Sequence, residues 1–255
     1  MSTVSLISDI GSESHELARF RMRFKRELPD LALECIKTDV QRGSISDAAF
    51  VLDALLPEFP AGSIHIIDVE SDLHRFGPAL FGKVKDQWVI CANNGLLSLL
   101  EEAPEFIAAE QNGWSKEGGV NALLRTFLPM AKQLSEQGDK GMKSFTEIQE
   151  KARLQPVITD NEVRATVIYN DHFGNAITNL KKEDLDQVAK GKRMAIILGR
   201  HDRLTRISQF FGEAEEGDVV ATWTEDNYLQ IGIYHGDAAR LLGLAKGKMI
   251  TVELV

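Results

Sequence analysis

Two rhythms of apolar residues divide the chain. In the first half, apolar runs at residues 4–10, 31–38 and 63–69 read as strands, and the near-continuous Ile64, Ile66 and Ile67 suit a strand covered on both faces. Between the runs, Leu17, Phe20, Phe24 and Leu28 recur at helical spacing over 14–28, stopped by Pro29. Ile45, Ala48, Leu52 and Leu55 do the same after Ser44-x-x-Asp47, a capping-box pattern, closed by Pro57 and Pro60. A hairpin-like pair (78–83, 87–91), a short helix (95–101), a strand (106–110) and a helix (126–137, Pro129 in its first turn) follow. Strand-helix alternation of this kind predicts an α/β domain with a largely parallel sheet. From residue 163 the pattern shortens to strands at 163–169, 176–180, 194–198, 219–223, 229–234 and 249–255, with helices at 183–190 and 237–242. That predicts a smaller all-β domain, an antiparallel sandwich or barrel. The expected domains are 1–155, with the polar stretch 136–155 as a linker, and 156–255.

The residues at the predicted strand ends add chemistry to this outline. Asp9, Asp39, Asp68 and the pair Asn93 and Asn94 all fall where a strand runs into a loop. Ligands of open α/β sheets bind beyond the carboxyl ends of the strands, so these groups predict a site for a polyhydroxylated or cationic ligand. A second concentration lies at 168–179, Ile-Tyr-Asn-Asp-His-Phe-Gly-Asn-Ala-Ile-Thr-Asn, where Asp171, His172, Phe173 and Asn175 follow the strand positions Val163, Ala165, Val167 and Tyr169. It reads either as a polar hairpin turn or as a ligand-binding wall, and the paired donors and acceptors beside an aromatic favour the wall.

Other chemistries lack their patterns. Asp9-Ile10-Gly11-Ser12 after the first strand is no dinucleotide fingerprint, which argues against a nicotinamide oxidoreductase. No phosphate-binding loop or G-x-S-x-G elbow occurs. Asp68, Asp72 and His74 match no standard zinc or calcium spacing, so no metal is expected. The formal charge of -9 argues against nonspecific binding to nucleic acid or an anionic membrane. Cys35 and Cys91 lie in apolar runs and are expected as buried free thiols. With no leader pattern and no apolar span of roughly 20 residues, a cytoplasmic protein is expected.

Several stretches together resemble the S-adenosylmethionine (SAM) hydrolases, or SAM hydroxide adenosyltransferases, relatives of SAM-dependent fluorinating and chlorinating enzymes. The carriers are Ser8-Asp9-Ile10-Gly11 (T-D-F-G in the family), Phe59-Pro60-x-Gly62-Ser63-Ile64-His65 (Y-P-x-G-T-I-H) and Asn93-Asn94-Gly95-Leu96-Leu97-Ser98 (D-N-G-L-L-S). The most specific is Tyr169 to Asn179, matching Y-x-D-x-F-G-N-x-x-T-N; Gly236 to Gly243 matches a further segment. The resemblance implies an N-terminal α/β domain, a C-terminal β-barrel and a homotrimer. Its site would lie between the N-terminal domain of one subunit and the C-terminal domain of its neighbour, with SAM as substrate and no cofactor. It implies that Asp9 binds the ribose hydroxyls, Asp171 meets the methionine ammonium, and Phe173 and Asn175 hold the nucleoside. Asp68 and Arg75 match the first two members of an Asp-Arg-His triad that acts on water.

The chain also departs from the family pattern. Ala122 stands in the place of the triad histidine, with His74 beside Arg75 as a substitute in space. The D-P-G-V-G loop reads Asp68-Val69-Glu70-Ser71-Asp72, and Ser14 replaces an acid. Thr224-Glu225-Asp226-Asn227-Tyr228-Leu229 replaces N-S-x-G-x-L, with Glu225 and Asp226 expected to repel the substrate carboxylate. The expected function is hydrolysis of SAM at the 5′ carbon. The alternative is a nucleoside- or adenosyl-binding trimer that is non-catalytic or altered in specificity.

Overall fold

The three apolar runs of the first half lie side by side in a computed structural model that describes residues 3–117, 121–199 and 203–255. Strand β1 (Thr3–Ser8) is followed by α1 (His15–Glu27), β2 (Ala32–Lys37), α2 (Ile45–Leu55) and β3 (Ile64–Asp68). Next come α3 (Leu73–Phe76), β4 (Leu80–Val84), β5 (Gln87–Cys91) and β6 (Phe106–Ala109). The sheet order is β2-β1-β3-β5-β4-β6. β1 is parallel to β2 and β3, and β3 to β5, whereas β4 pairs antiparallel with β5 and β6. The sheet is therefore mixed. Lys85 and Asp86 alone join β4 to β5, and so short a connection can make only a hairpin.

Side-chain alternation along the strands supplies two cores. Val4, Leu6, Ile64, Ile66 and Ile90 face one side with Phe20 and Phe24 of α1; Ile7, Ile67, Val89 and Cys91 face the other with Ala48 and Leu52 of α2. Burying one such side chain contributes about 1.5–3 kcal/mol, so both faces hold the sheet between helices. Cys91 is buried, but Cys35 is only half-buried because β2 is an edge strand whose exposure alternates. The Ser14 side chain caps α1 by accepting from the Glu16 N–H, while Ser44, the expected capping-box residue, holds the N-cap position of α2 without a side-chain cap bond.

Beyond β6, α4 (Trp114–Glu117) leads to a π-helical turn (Leu123–Phe127) that runs into α5 (Leu128–Gln137). Pro129 has no N–H to donate back to residue 125, and its ring crowds that carbonyl, which favours the wider turn just upstream. The polar stretch 136–155 is no loose linker, since much of it is tied to the first sheet, its loops and α2. Phe145 N–H donates to Ile107 O at 2.8 Å, Gln149 N–H to Asn93 Oδ1 at 2.8 Å, and Arg153 reaches Asp53 at 3.2 Å and Glu101 at 2.8 Å. The chain divides after Arg153 into two compact units.

The second unit contains β7 (Val157–Ile158), β8 (Glu162–Asn170), β9 (Ala176–Lys181), α6 (Lys182–Val188), β10 (Met194–Ile197) and β11 (Arg203–Leu204), then β12 (Val219–Trp223), β13 (Tyr228–Ile233), α7 (Ala238–Leu241) and β14 (Met249–Leu254). Its order is β11-β10-β14-β8-β9-β13-β12, with every pairing antiparallel and β7 on β8. Ser208 N–H, just after β11, donates to Ala221 O of β12 at 2.8 Å, so the sheet nearly closes into a barrel. Alternate residues of β8 (Val163, Ala165, Val167) fill its interior with Leu229, Ile231, Ile250 and Val252. No helix among the described residues is long and apolar enough to cross a membrane.

Candidate functional site

Parallel pairing puts the carboxyl ends of β1 and β3 together, with Ser8 opposite Asp68. The Ser8 hydroxyl donates to Asp68 Oδ2 at 3.0 Å, and Asp9 N–H donates to Asp68 O at 3.2 Å. Asp9 spends one carboxylate oxygen on the neighbouring loops: Oδ2 accepts from Gly43 N–H at 2.8 Å and, more weakly, from Glu70 N–H at 3.5 Å. Its Oδ1 keeps no hydrogen bond among the described residues. Above this edge lies a cavity of about 640 Å³ lined by Asp9, Glu16, Asp68 and Asp72, with Ser71, His74, Asn121 and Ala122. Four carboxylates line it and, among the described residues, no lysine or arginine does. Among the described residues, no group of His, Cys, Asp and Glu is gathered as a metal site.

Asp68 opens partly to the cavity, yet it is closely surrounded. Burial pushes its carboxyl up to about 6; the Ser8 and Ser71 hydroxyls pull the other way, and the negative charge of Asp9 adds to the rise. Ser71 acts on Asp68 by proximity, because its Oγ is buried without a hydrogen bond of acceptable geometry among the described residues. A buried hydroxyl without a partner is costly unless a water or ligand completes it.

The two expected triad members are not brought together. Arg75 is exposed, 3.6 Å from Glu70 and 4.9 Å above the Phe76 ring, and it does not line the cavity. His74 does line it, and so does Ala122, at the N-cap of the π turn. The loop that lost its glycines keeps a glycine-like path at one position. Glu70 has φ 50, held by Asn94 Nδ2, which donates to Val69 O at 2.9 Å and Glu70 O at 3.3 Å.

Asn93 and Asn94 are thus committed to the fold. Asn93 Nδ2 donates to Glu147 O at 3.0 Å and its Oδ1 accepts from Gln149, while Asn94 Oδ1 accepts from Leu96 N–H at 3.2 Å. Both are buried outside the cavity lining. Asp39 also lies outside the lining.

In the second unit the stretch 168–179 is a hairpin, its turn at 171–175 between β8 and β9. Asp171 organises that turn: Oδ1 accepts from Phe173 N–H and Asn175 N–H, each at 2.9 Å, and Oδ2 from Asn175 Nδ2 at 2.8 Å and Gln230 Nε2 at 3.4 Å. A carboxylate has about four acceptor positions, so the turn itself uses most of what the sequence offered as ligand chemistry. Asp171, Phe173 and Asn175 nonetheless line one cavity of about 690 Å³, with Phe211, Gln230, Tyr234, His235 and Asp237. Phe173 is 74% exposed. Gly174 has φ 80, and a Cβ there would collide with the Asp237 carboxylate.

Glu225 and Asp226 do not face this cavity. They occupy the turn between β12 and β13, whereas the cavity is lined from the other end of β13 by residues 233–237. Neither residue is among its lining, which on β13 begins at Gln230. Sequence reasoning missed Ser8, Glu16, Ser71, Gln230 and Tyr234. Only Ser8 carried a local signal, preceding Asp9 in a strand whose register sets it against Asp68.

Comparison with known proteins adds the following. Residues 4–143 match the SAM hydroxide adenosyltransferase N-terminal domain, and residues 165–251 its C-terminal domain. A (R)-S-adenosyl-L-methionine hydrolase of Thermus thermophilus is 24% identical over 97% of this chain and 98% of its own. Two solved structures share the fold. An uncharacterized conserved protein from Thermotoga maritima has TM-score 0.85 and 20% identity, over 98% of this chain and 99% of the other. A conserved hypothetical protein from Thermus thermophilus has TM-score 0.75 and 24% identity over the whole of both chains.

Proposed function

The chain belongs to the SAM hydroxide adenosyltransferase family, and on that premise we propose that it hydrolyses S-adenosyl-L-methionine. Water or hydroxide attacks the 5′ carbon, giving adenosine and methionine. The observation that carries this reading is the cavity at the carboxyl edge of the first sheet, where four carboxylates and, among the described residues, no lysine or arginine suit a cationic sulfonium. Asp9 Oδ1 is free to accept from a ribose hydroxyl. Asp68, ionised above about pH 6, orients the attacking water. The sulfonium leaves as a neutral thioether, so the protein has mainly to position a water in line and keep it poorly solvated. In this reading Asn93 and Asn94 shape the loops around the site, and Arg75 contributes only after leaving Glu70.

The cavity bearing Asp171, Phe173 and Asn175 takes the nucleoside in this reading. Phe173 offers a ring face for stacking, and Asn175 an amide held in place by Asp171. The reading includes a homotrimer in which the exposed Phe173 is covered by a neighbouring copy, which light scattering on the purified protein tests. SAM is substrate, and no cofactor is invoked.

One observation favours a second reading. Ala122 lines the acidic cavity and brings no proton acceptor there, as suits a protein that binds an adenosyl compound without turning it over. Incubation with the (R) and (S) sulfonium epimers of SAM, and separately with adenosine, decides between the two. Adenosine and methionine forming above the rate without protein support hydrolysis. Binding without products supports the second reading, and neither binding nor turnover sinks both.

A further inference from the structure

We propose that His74 is the catalytic proton acceptor of the acidic cavity, taking the part left open by Ala122; this rests on the hydrolase reading above. His74 and Ala122 line the same cavity as Asp68. The imidazole makes no hydrogen bond or ion pair among the described residues, whereas each carboxylate around it has at least one partner. Asp9 holds Gly43, Glu16 takes Arg19 and Asn121, Asp68 accepts from Ser8, and Asp72 caps α3.

Both His74 and Arg75 are exposed, but of the two only His74 lines the cavity. Asp72 Oδ1 accepts from both His74 N–H at 3.1 Å and Arg75 N–H at 3.2 Å, which pins the single turn of α3. On a helix successive side chains diverge by about 100°, so the two neighbours point in different directions. Arg75 lies against Glu70 and Phe76. The Ser71 hydroxyl, buried without a partner on the same wall, completes a seat for water.

The step balances without a co-reactant. As the water oxygen bonds to C5′, the C5′–S bond breaks and its electron pair stays on sulfur, leaving neutral methionine. A water proton passes to an imidazole nitrogen of His74. Asp9, Glu16, Asp68 and Asp72 line the same cavity. His74 then releases the proton to solvent, so SAM cation and water become adenosine, methionine and one proton.

The test measures kcat and KM for SAM in wild type, His74→Ala and the double variant His74→Ala/Ala122→His, with melting temperature as the folding control. His74→Ala is also assayed with added imidazole. The expected result is a fall in kcat of about 10²-fold or more at little-changed KM, with recovery of at least about tenfold by imidazole or by the new histidine. An unchanged kcat in His74→Ala overturns this proposal and leaves the hydrolase reading standing. A fall that neither rescue reverses overturns it too, since it points to a structural part for His74. Absence of turnover in the wild type overturns the hydrolase reading, and this proposal with it.

Discussion

Arg75 lies 3.6 Å from Glu70, and Glu70 itself sits at φ 50. One residue thus carries backbone strain and pairs with a guanidinium that lies outside the cavity lining.

Replacing it separates those effects. Left-handed backbone costs a side-chain-bearing residue roughly 1–2 kcal/mol, and an exposed ion pair contributes about 0–1 kcal/mol. Glu70→Gly is therefore expected to raise stability by up to about 1 kcal/mol, and Glu70→Gln to leave it nearly unchanged. Urea unfolding checks both; a loss above about 1 kcal/mol in Glu70→Gly would contradict the strain assignment.

Burial raises the Asp68 carboxyl from 3.8 to about 6 in the folded chain. The folded state therefore binds the proton more tightly than the unfolded state. The Asp68 contribution to stability is greatest below pH 4 and is lost as pH rises from 4 to 6. Asp68→Asn is expected to be the more stable protein at pH 8, by on the order of 1–2 kcal/mol because the cavity keeps the carboxylate partly solvated. Turnover should move the opposite way: it rises through pH 6 in the wild type and falls about 10²-fold or more in Asp68→Asn. A variant both less stable at pH 8 and fully active would refute the assignment.

A second pH effect sits in the core. His65 is buried between Ser5 Oγ at 2.7 Å and Gln87 Oε1 at 2.7 Å, and Gln87 Nε2 donates to Leu56 O at 2.8 Å. That direction makes Nε2 of His65 the donor and Nδ1 the acceptor. Burial holds the imidazole below its ordinary 6.5, with the Gln87 bond partly offsetting. The stability this provides is present above pH 6.5 and is lost as pH falls below it. Denaturant midpoints at pH 7.5 and 5 should therefore differ more in wild type than in His65→Gln. Equal shifts in the two proteins would rule His65 out as the source.

The Asp171 turn predicts a graded series. Asp171→Ala strands the N–H groups of Phe173 and Asn175 and is expected to cost about 1–3 kcal/mol, with loss of nucleoside binding. Asp171→Asn keeps one acceptor oxygen and should cost less. Gly174→Ala adds both the collision with Asp237 and the strain of φ 80, and is expected to match or exceed Asp171→Ala. Thermal melts with and without adenosine read the series; equal stability across all three variants would refute the turn's role.

Much of this architecture was legible in the residues themselves, and some of it was not. Apolar periodicity disclosed the alternating elements of the first unit and the short strands of the second, because burial on one or two faces writes a period into the chain. The strand-end acids Asp9 and Asp68 could be placed on one edge, because parallel strands share their carboxyl end. The direction and occupation of each side chain was set by contacts remote in sequence. Asp9 is held by Gly43, Asn93 is used up by residues 147 and 149, and Glu225 and Asp226 are not among the lining of the cavity at β13. The stretch 168–179 combines both kinds of information. Its composition marked it out in the sequence, but only the folded turn shows that Asp171 spends its acceptors there while leaving Phe173 exposed. A residue's type fixes which bonds it can make, and competition among neighbours in space decides which of them it does make.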